Sequence, residues 1–157
     1  MAIAITLKEY LADRDVDYDI IEHDYTAASM ETAEAAHIPG GQLAKSVMLE
    51  DGDGRYLLTV IPSTSHVDLG KIHRDYDMHI GLATEGELNE IFDDCDTGAI
   101  PPIGNAYGID VLVDDSLEEC SDVYFEAGDH EHLVHLSGSS FHDLMSNAKH
   151  GRFARPI

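Results

Sequence analysis

The chain contains no tryptophan and only two cysteines in 157 residues. Two thiols, Cys95 and Cys120, make neither a disulfide framework nor the paired spacing of a structural zinc site, so free thiols are expected. Cys95 sits among Asp93, Asp94 and Asp96, whose negative charge raises a thiol pKa and makes a poor nucleophile. Positive charge is scarce as well. Nine Lys and Arg face 31 Asp and Glu, a formal net charge of −22. Such a surface is soluble and repels phosphate backbones at long range. In a salt-rich medium, screening would remove that repulsion, and composition leaves both readings open. Long apolar runs are missing too. The stretch Tyr56-Leu57-Leu58-Thr59-Val60-Ile61 is far too short to span a bilayer. The start, Met1-Ala2-Ile3-Ala4-Ile5, has no basic n-region, so no signal peptide is expected and the expected location is cytoplasmic.

Several catalytic signatures are absent. No HExxH and no Gly-x-Ser-x-Gly elbow occur, and Gly98 to Gly104 is no P-loop, because its glycine spacing is wrong and no Lys-Ser or Lys-Thr follows it. The ten histidines invite a metal reading, above all His130-Glu131-His132-His135. In a strand His130 and His132 would share a face while His135 pointed away, so no metal and no cofactor are expected.

What is present is an ordinary globular mixture, 43% apolar and 25% charged, in a length suited to one domain. A domain over 1–147 is expected, followed by a basic tail over 148–157 that carries Lys149, Arg152 and Arg155. Thr6-Leu7-Lys8-Glu9 reads as a capping box that opens a helix, with Leu7, Tyr10 and Leu11 on one face. Val16, Tyr18 and Ile20 alternate as a strand, and Ser29 can cap a helix over Glu31 to His37. Leu43 to Leu49 and Arg55 to Ile61 read as two strands joined at Asp51-Gly52-Asp53-Gly54. A short helix over Val67 to Asp75 follows, then a capping box at Thr84-Glu85-Gly86-Glu87 and a loop from Gly98 to Gly108. Strands at Ile109 to Val113, Val123 to Phe125 and Leu133 to Leu136 precede a helix over Phe141 to Ser146. The expected fold is mixed α/β with a largely antiparallel central sheet surrounded by helices, with hairpins at Asp51–Gly54 and at Asp114-Asp115.

Two constellations could carry chemistry. Lys45 lies among Leu43, Ala44, Val47 and Met48, and in a strand it shares a face with Val47 and Leu49 that should be the core side. An ammonium there must be paired, must line a cavity for an anion, or must reach back to solvent. Gly98-Ala99-Ile100-Pro101-Pro102-Ile103-Gly104 is the second. Its glycines let backbone N–H groups approach a ligand and its prolines stiffen the loop, although a structural turn explains the same pattern.

Taken in order, these segments resemble the YbaK/EbsC/ProX family of aminoacyl-tRNA deacylases, related to the editing domain of bacterial prolyl-tRNA synthetases. The resemblance runs from about Leu7 to Leu144. It rests on Glu22-His23, Thr32-Ala33-Glu34-Ala35-Ala36, Gln42-Leu43-Ala44-Lys45-Ser46-Val47-Met48-Leu49, the Gly98–Gly104 loop, Asp114 to Leu117 and Ala127-Gly128. It implies a metal-independent hydrolase that cleaves the ester of misacylated tRNA, removing alanine, cysteine or serine from tRNA-Pro. Lys45 would anchor the terminal adenosine, with Ser46 beside it. The loop, with Gly98 and Gly104 as backbone donors and Ile100, Pro101 and Pro102 as walls, would hold the aminoacyl carbonyl. His130 is an accessory candidate, and Tyr25, Thr26 and Met30 are candidate pocket walls that core packing would explain equally. The implied partners are misacylated tRNA and prolyl-tRNA synthetase. The competing expectation is a noncatalytic module of the same fold that binds a nucleotide or a synthetase.

Overall fold

The computed structural model describes residues 3–26, 28–77 and 80–156, with the side chains of 29 and 30 outside the description. Its elements are α1 (Ile5–Asp13), β1 (Asp19–Glu22), α2 (Ser29–Ala35), β2 (Leu43–Asp51), β3 (Tyr56–Pro62), β4 (Ser65–Val67), α3 (Leu69–Tyr76), β5 (Ile80–Leu82), α4 (Glu85–Ile91), β6 (Asp110–Asp114), β7 (Asp122–Glu126), β8 (His132–Ser137), α5 (Gly138–Leu144), β9 (Lys149–Gly151) and β10 (Ala154–Pro156). Short 3-10 turns occupy Gly40–Gln42, Gly104–Tyr107 and Asp115–Glu119.

One sheet runs in the order β1-β8-β7-β2-β3-β6-β9, with β5 on β2, and β10 pairs β4 in a separate ladder. The β2–β3 hairpin forms as its pattern predicts, with Gly54 at φ +80° in the turn. The junction at Asp114-Asp115 is not a hairpin. It enters a 3-10 turn, and β6 pairs β3 and β9 in parallel while β7 lies across the sheet against β2 and β8. The sheet is therefore mixed, mostly antiparallel, and covered on both faces.

Alternation along the strands sorts the core. Ala44, Met48, Leu58, Val60, Val111, Val113 and Phe125 face the larger cluster, under Leu7 and Leu11 of α1, Phe141 and Leu144 of α5, and Ile100 and Ile103. Leu49, Leu57, Ile61 and Leu112 face the other way, against Ile72 of α3 and Phe153. Leu43 and Leu133 meet Ala33 of α2 on that same side of the sheet's other half. The Lys45 face is thus buried as expected, but by the smaller clusters.

Two helix starts differ from their sequence signals. Ala4 is the N-cap of α1 and no side chain of its own segment caps it. The Asp94 carboxylate accepts from the Thr6 N–H at 2.8 Å, and a long-range acid takes the place of the local box. Likewise α2 begins after Ala28, and Ser29, the expected cap, is its first residue. The Thr84 box forms in full.

The expected tail is part of the fold. Lys149–Gly151 pairs β6, Ala154–Pro156 pairs β4, and Phe153 between them is 2% exposed. Burial of one phenylalanine is worth roughly 1.5–3 kcal/mol, enough to hold a short basic segment down. Asp114 completes the anchor by accepting from the Phe153 and Ala154 N–H groups, each at 2.9 Å.

Candidate functional site

Strand β2 shares one edge between two partners. β7 pairs it at Leu43 and Ala44, and β5 pairs it at Leu49 to Asp51. From Lys45 to Val47 no strand pairs that edge among the described residues, which leaves a notch in the sheet. Lys45 is half-buried there, and its Nζ donates to the Ser65 carbonyl at 2.8 Å. Burial pushes its pKa down, and no carboxylate lies within ion-pair distance of it among the described residues. In a chain with 31 Asp and Glu, a partly desolvated ammonium held only by a carbonyl is left open to an outside anion. Ser46 points to the opposite face, and its buried Oγ has no hydrogen-bond partner among the described residues.

One residue past the β2–β7 ladder, on the Lys45 side, comes Glu126. Its Oε2 is buried without a hydrogen-bond partner among the described residues. Burial first, then the Asp129 charge, pushes its pKa up to about 8, with the Thr32 hydroxyl acting in the opposite direction. Glu126 is therefore mainly protonated at neutral pH. Glu126 is not among the site residues expected from the sequence. The rule that singled out Lys45, a charge inside an apolar strand, applies equally to Phe125-Glu126-Ala127.

From Glu126 the polar groups continue outward. Thr32 is fully buried, and its hydroxyl lies 2.6 Å from that of Thr26. The Thr26 N–H donates to the His130 carbonyl at 3.3 Å, and the exposed Tyr25 ring lies 5.2 Å from the His130 ring. His130 Nε2 is 2.5 Å from the Thr97 carbonyl, and a Cβ on Gly98 would sit 3.3 Å from its ring. Tyr25, Thr26, His130 and Gly98 thus form one group, joined to the Lys45 notch through Thr32 and Glu126. The Met30 side chain lies outside the described residues.

The loop divides in two. Gly98, exposed and at φ +83°, is its open end. Ala99 through Gly104 are buried, and the Ala99 N–H is already given to the Asp96 carbonyl. A Cβ at Gly104 would lie 2.7 Å from Val111 Cγ2 and 3.0 Å from the Ile109 carbonyl. Close packing accounts for a glycine at position 104. Pro101 and Pro102 are likewise buried.

The remaining candidates separate. His130 has φ +64° and precedes β8, so it shares no strand face with His132. His132 pairs with Asp129 at 2.6 Å, and His135 with Asp122 at 2.8 Å. Both cysteines are free, and Cys95 is pushed up to about 12, by burial first and by its acidic neighbours after that. The basic side chains of the C-terminal strands are exposed, and α3 adds Lys71 and Arg74 beside them, starting where the Asp68 N–H donates to the Phe153 carbonyl. The cleft lined by Arg14, Asp15, Val16, Asp17, Ser140, Asp143 and Leu144, about 380 Å³, lies away from this site.

A family model described as "Aminoacyl-tRNA editing domain" matches residues 23–144. Among solved structures, the protein named "putative trans-editing enzyme for prolyl tRNA synthetase" is 22% identical with TM-score 0.83, over 97% of this chain and 96% of that one. The "hypothetical protein APE2540" is 18% identical with TM-score 0.83, over 96% and 99% of the two chains. No curated protein matches the sequence. No helix of the described residues is long and apolar enough to cross a membrane.

Proposed function

The chain belongs to the aminoacyl-tRNA editing domain family, and from that premise we propose that it hydrolyses the ester of misacylated tRNA in trans, releasing alanine, cysteine or serine from tRNA-Pro. The observation that carries this reading is Lys45, a half-buried ammonium bound to the Ser65 carbonyl and to no carboxylate among the described residues. Such a group suits the phosphate or sugar end of a terminal adenosine. The likeness to a protein named for trans-editing beside prolyl-tRNA synthetase supports that tRNA and that synthetase as partners.

In the proposed reaction Lys45 holds the anionic end of the substrate at the notch. The open end of the loop, at Gly98, and the neighbouring Thr26 and His130 face the aminoacyl group. Attack on the ester carbonyl by water, or by a nucleophile of the substrate itself, breaks the bond to the ribose oxygen and leaves a free 3′ end. Positioning and fixed dipoles do the work, since Cys95 is held in its inert thiol form and no elbow serine exists. The proposed chemistry needs no metal and takes place in the cytoplasm.

A deacylation screen with tRNA-Pro charged with alanine, cysteine or serine tests the reading. Release of at least one amino acid, unchanged after dialysis against a chelator, is the expected result. No turnover of any of the three, together with nucleotide or synthetase binding, would make the chain a noncatalytic module.

A further inference from the structure

Far along the sequence from Lys45, the C-terminal strand meets the turn after β6. Asp115–Glu119 is a 3-10 turn, in which residues three apart eclipse, so Asp115 and Glu118 project to the same side. His150 comes to them on β9, beside β6. The ligand atoms of Asp115, Glu118 and His150 lie within 4.8 Å of one another. A second imidazole enters from α5. His142 Nδ1 is 3.2 Å from Glu118 Oε1, and His150 Nδ1 is 3.0 Å from the same oxygen.

His150 Nδ1 is buried and, among the described residues, makes no hydrogen bond despite that short distance. The 3.0 Å between His150 Nδ1 and Glu118 Oε1 is an ion-pair distance for a protonated imidazole, and it also lies close to the spacing of two ligands of one ion. With metal–ligand bonds of about 2.0–2.1 Å, tetrahedral ligands sit roughly 3.3 Å apart. We propose that Asp115, Glu118 and His150 form a binding site for a divalent cation of the zinc class, with water completing its coordination. Imidazole with carboxylate is the ligand set of such borderline ions, whereas calcium and magnesium take oxygen alone. The strongly acidic surface raises the local concentration of any divalent cation. An open cleft of about 520 Å³, lined by Glu118, His142 and Asp143 among others, gives an ion its entry. The site joins β9 to the turn after β6, so its role is to fasten the C-terminal strands. It stands apart from the Lys45 notch and is independent of the proposed reaction.

Calorimetric titration of the chelator-treated full chain with zinc chloride tests the proposal, with thermal melts in the same buffers. One equivalent should bind saturably and raise the melting temperature. Glu118→Gln and His150→Ala should each weaken binding by at least about tenfold, with His135→Ala as a control that leaves it unchanged. His150 lies on a strand, so the exposed Glu118→Gln variant keeps the test valid if His150→Ala folds poorly. Absence of saturable zinc binding would overturn the proposal, as would binding that both variants retain or that His135→Ala removes.

Discussion

The Lys45 ammonium donates to the Ser65 carbonyl at 2.8 Å, and Ser65 lies opposite Pro156 in the ladder of β4 and β10. The C-terminal strand thereby supports the strand that holds Lys45. The next pair in that ladder, Arg155 and His66, adds an exposed basic side chain to the same ribbon.

Removing everything after Asn147 would therefore unfold more than a tail. It deletes β9, β10 and Phe153, and the melting temperature should fall sharply. Neutralising Lys149, Arg152 and Arg155 to glutamine should instead leave the melt nearly unchanged. If this ribbon docks tRNA, the triple variant raises KM and flattens its salt dependence, because fewer counterions are released on binding. An unchanged KM at low salt would show that the ribbon takes no part.

Asp114→Ala should destabilise the fold by about 2–4 kcal/mol, because it strands buried N–H donors of Phe153 and Ala154. Burial alone would push this carboxyl up, but the bonds from the Ser116 hydroxyl and from the backbone N–H groups outweigh it, and the net shift is downward. A carboxyl lowered in the folded state adds stability above its unfolded pKa and loses it as pH falls through the folded value. Denaturant melts at pH 7 and near pH 3 check this. The wild-type advantage over Asp114→Ala should shrink at the lower pH.

Glu126 has the opposite sign. Its folded pKa, pushed up to about 8, lies above the unfolded one, so ionisation costs stability progressively between about pH 4.5 and pH 8. Glu126→Gln should match the wild type near pH 5 and exceed it at pH 8. At about 1.4 kcal/mol per pKa unit, the gain is roughly 1–4 kcal/mol. Equal melts at pH 8 would show that Glu126 is solvated and ionises normally.

Much of this was legible in the residues. The β2–β3 hairpin follows from alternation and from Asp51-Gly52-Asp53-Gly54, and the Thr84 box from its own four residues. Local chemistry governs both. What escaped was set at long range. Asp94 caps α1 from 88 positions away, Asp114 holds a segment 39 residues downstream, and the parallel pairing of β9 with β6 leaves no local trace. Lys45 was legible because a charge inside an apolar strand violates the strand's own pattern. The same violation at Glu126 was passed over. A close-packed glycine and a ligand-facing one are spelled alike, so the tight contacts at Gly104 leave no sign in the residues.

Turnover of misacylated tRNA-Pro by Lys45→Ala, with circular dichroism melting as the folding control, tests the central claim most directly. Loss of the anchor misplaces the ester, so kcat/KM should fall about a hundredfold or more. The melt should hold or rise slightly, because a partly desolvated charge without a carboxylate partner is removed. Lys45→Arg should rescue poorly, since a planar guanidinium places its donors differently from an ammonium. Near-normal turnover by Lys45→Ala would place the chemistry elsewhere, and lost turnover with a collapsed melt would make Lys45 a structural residue.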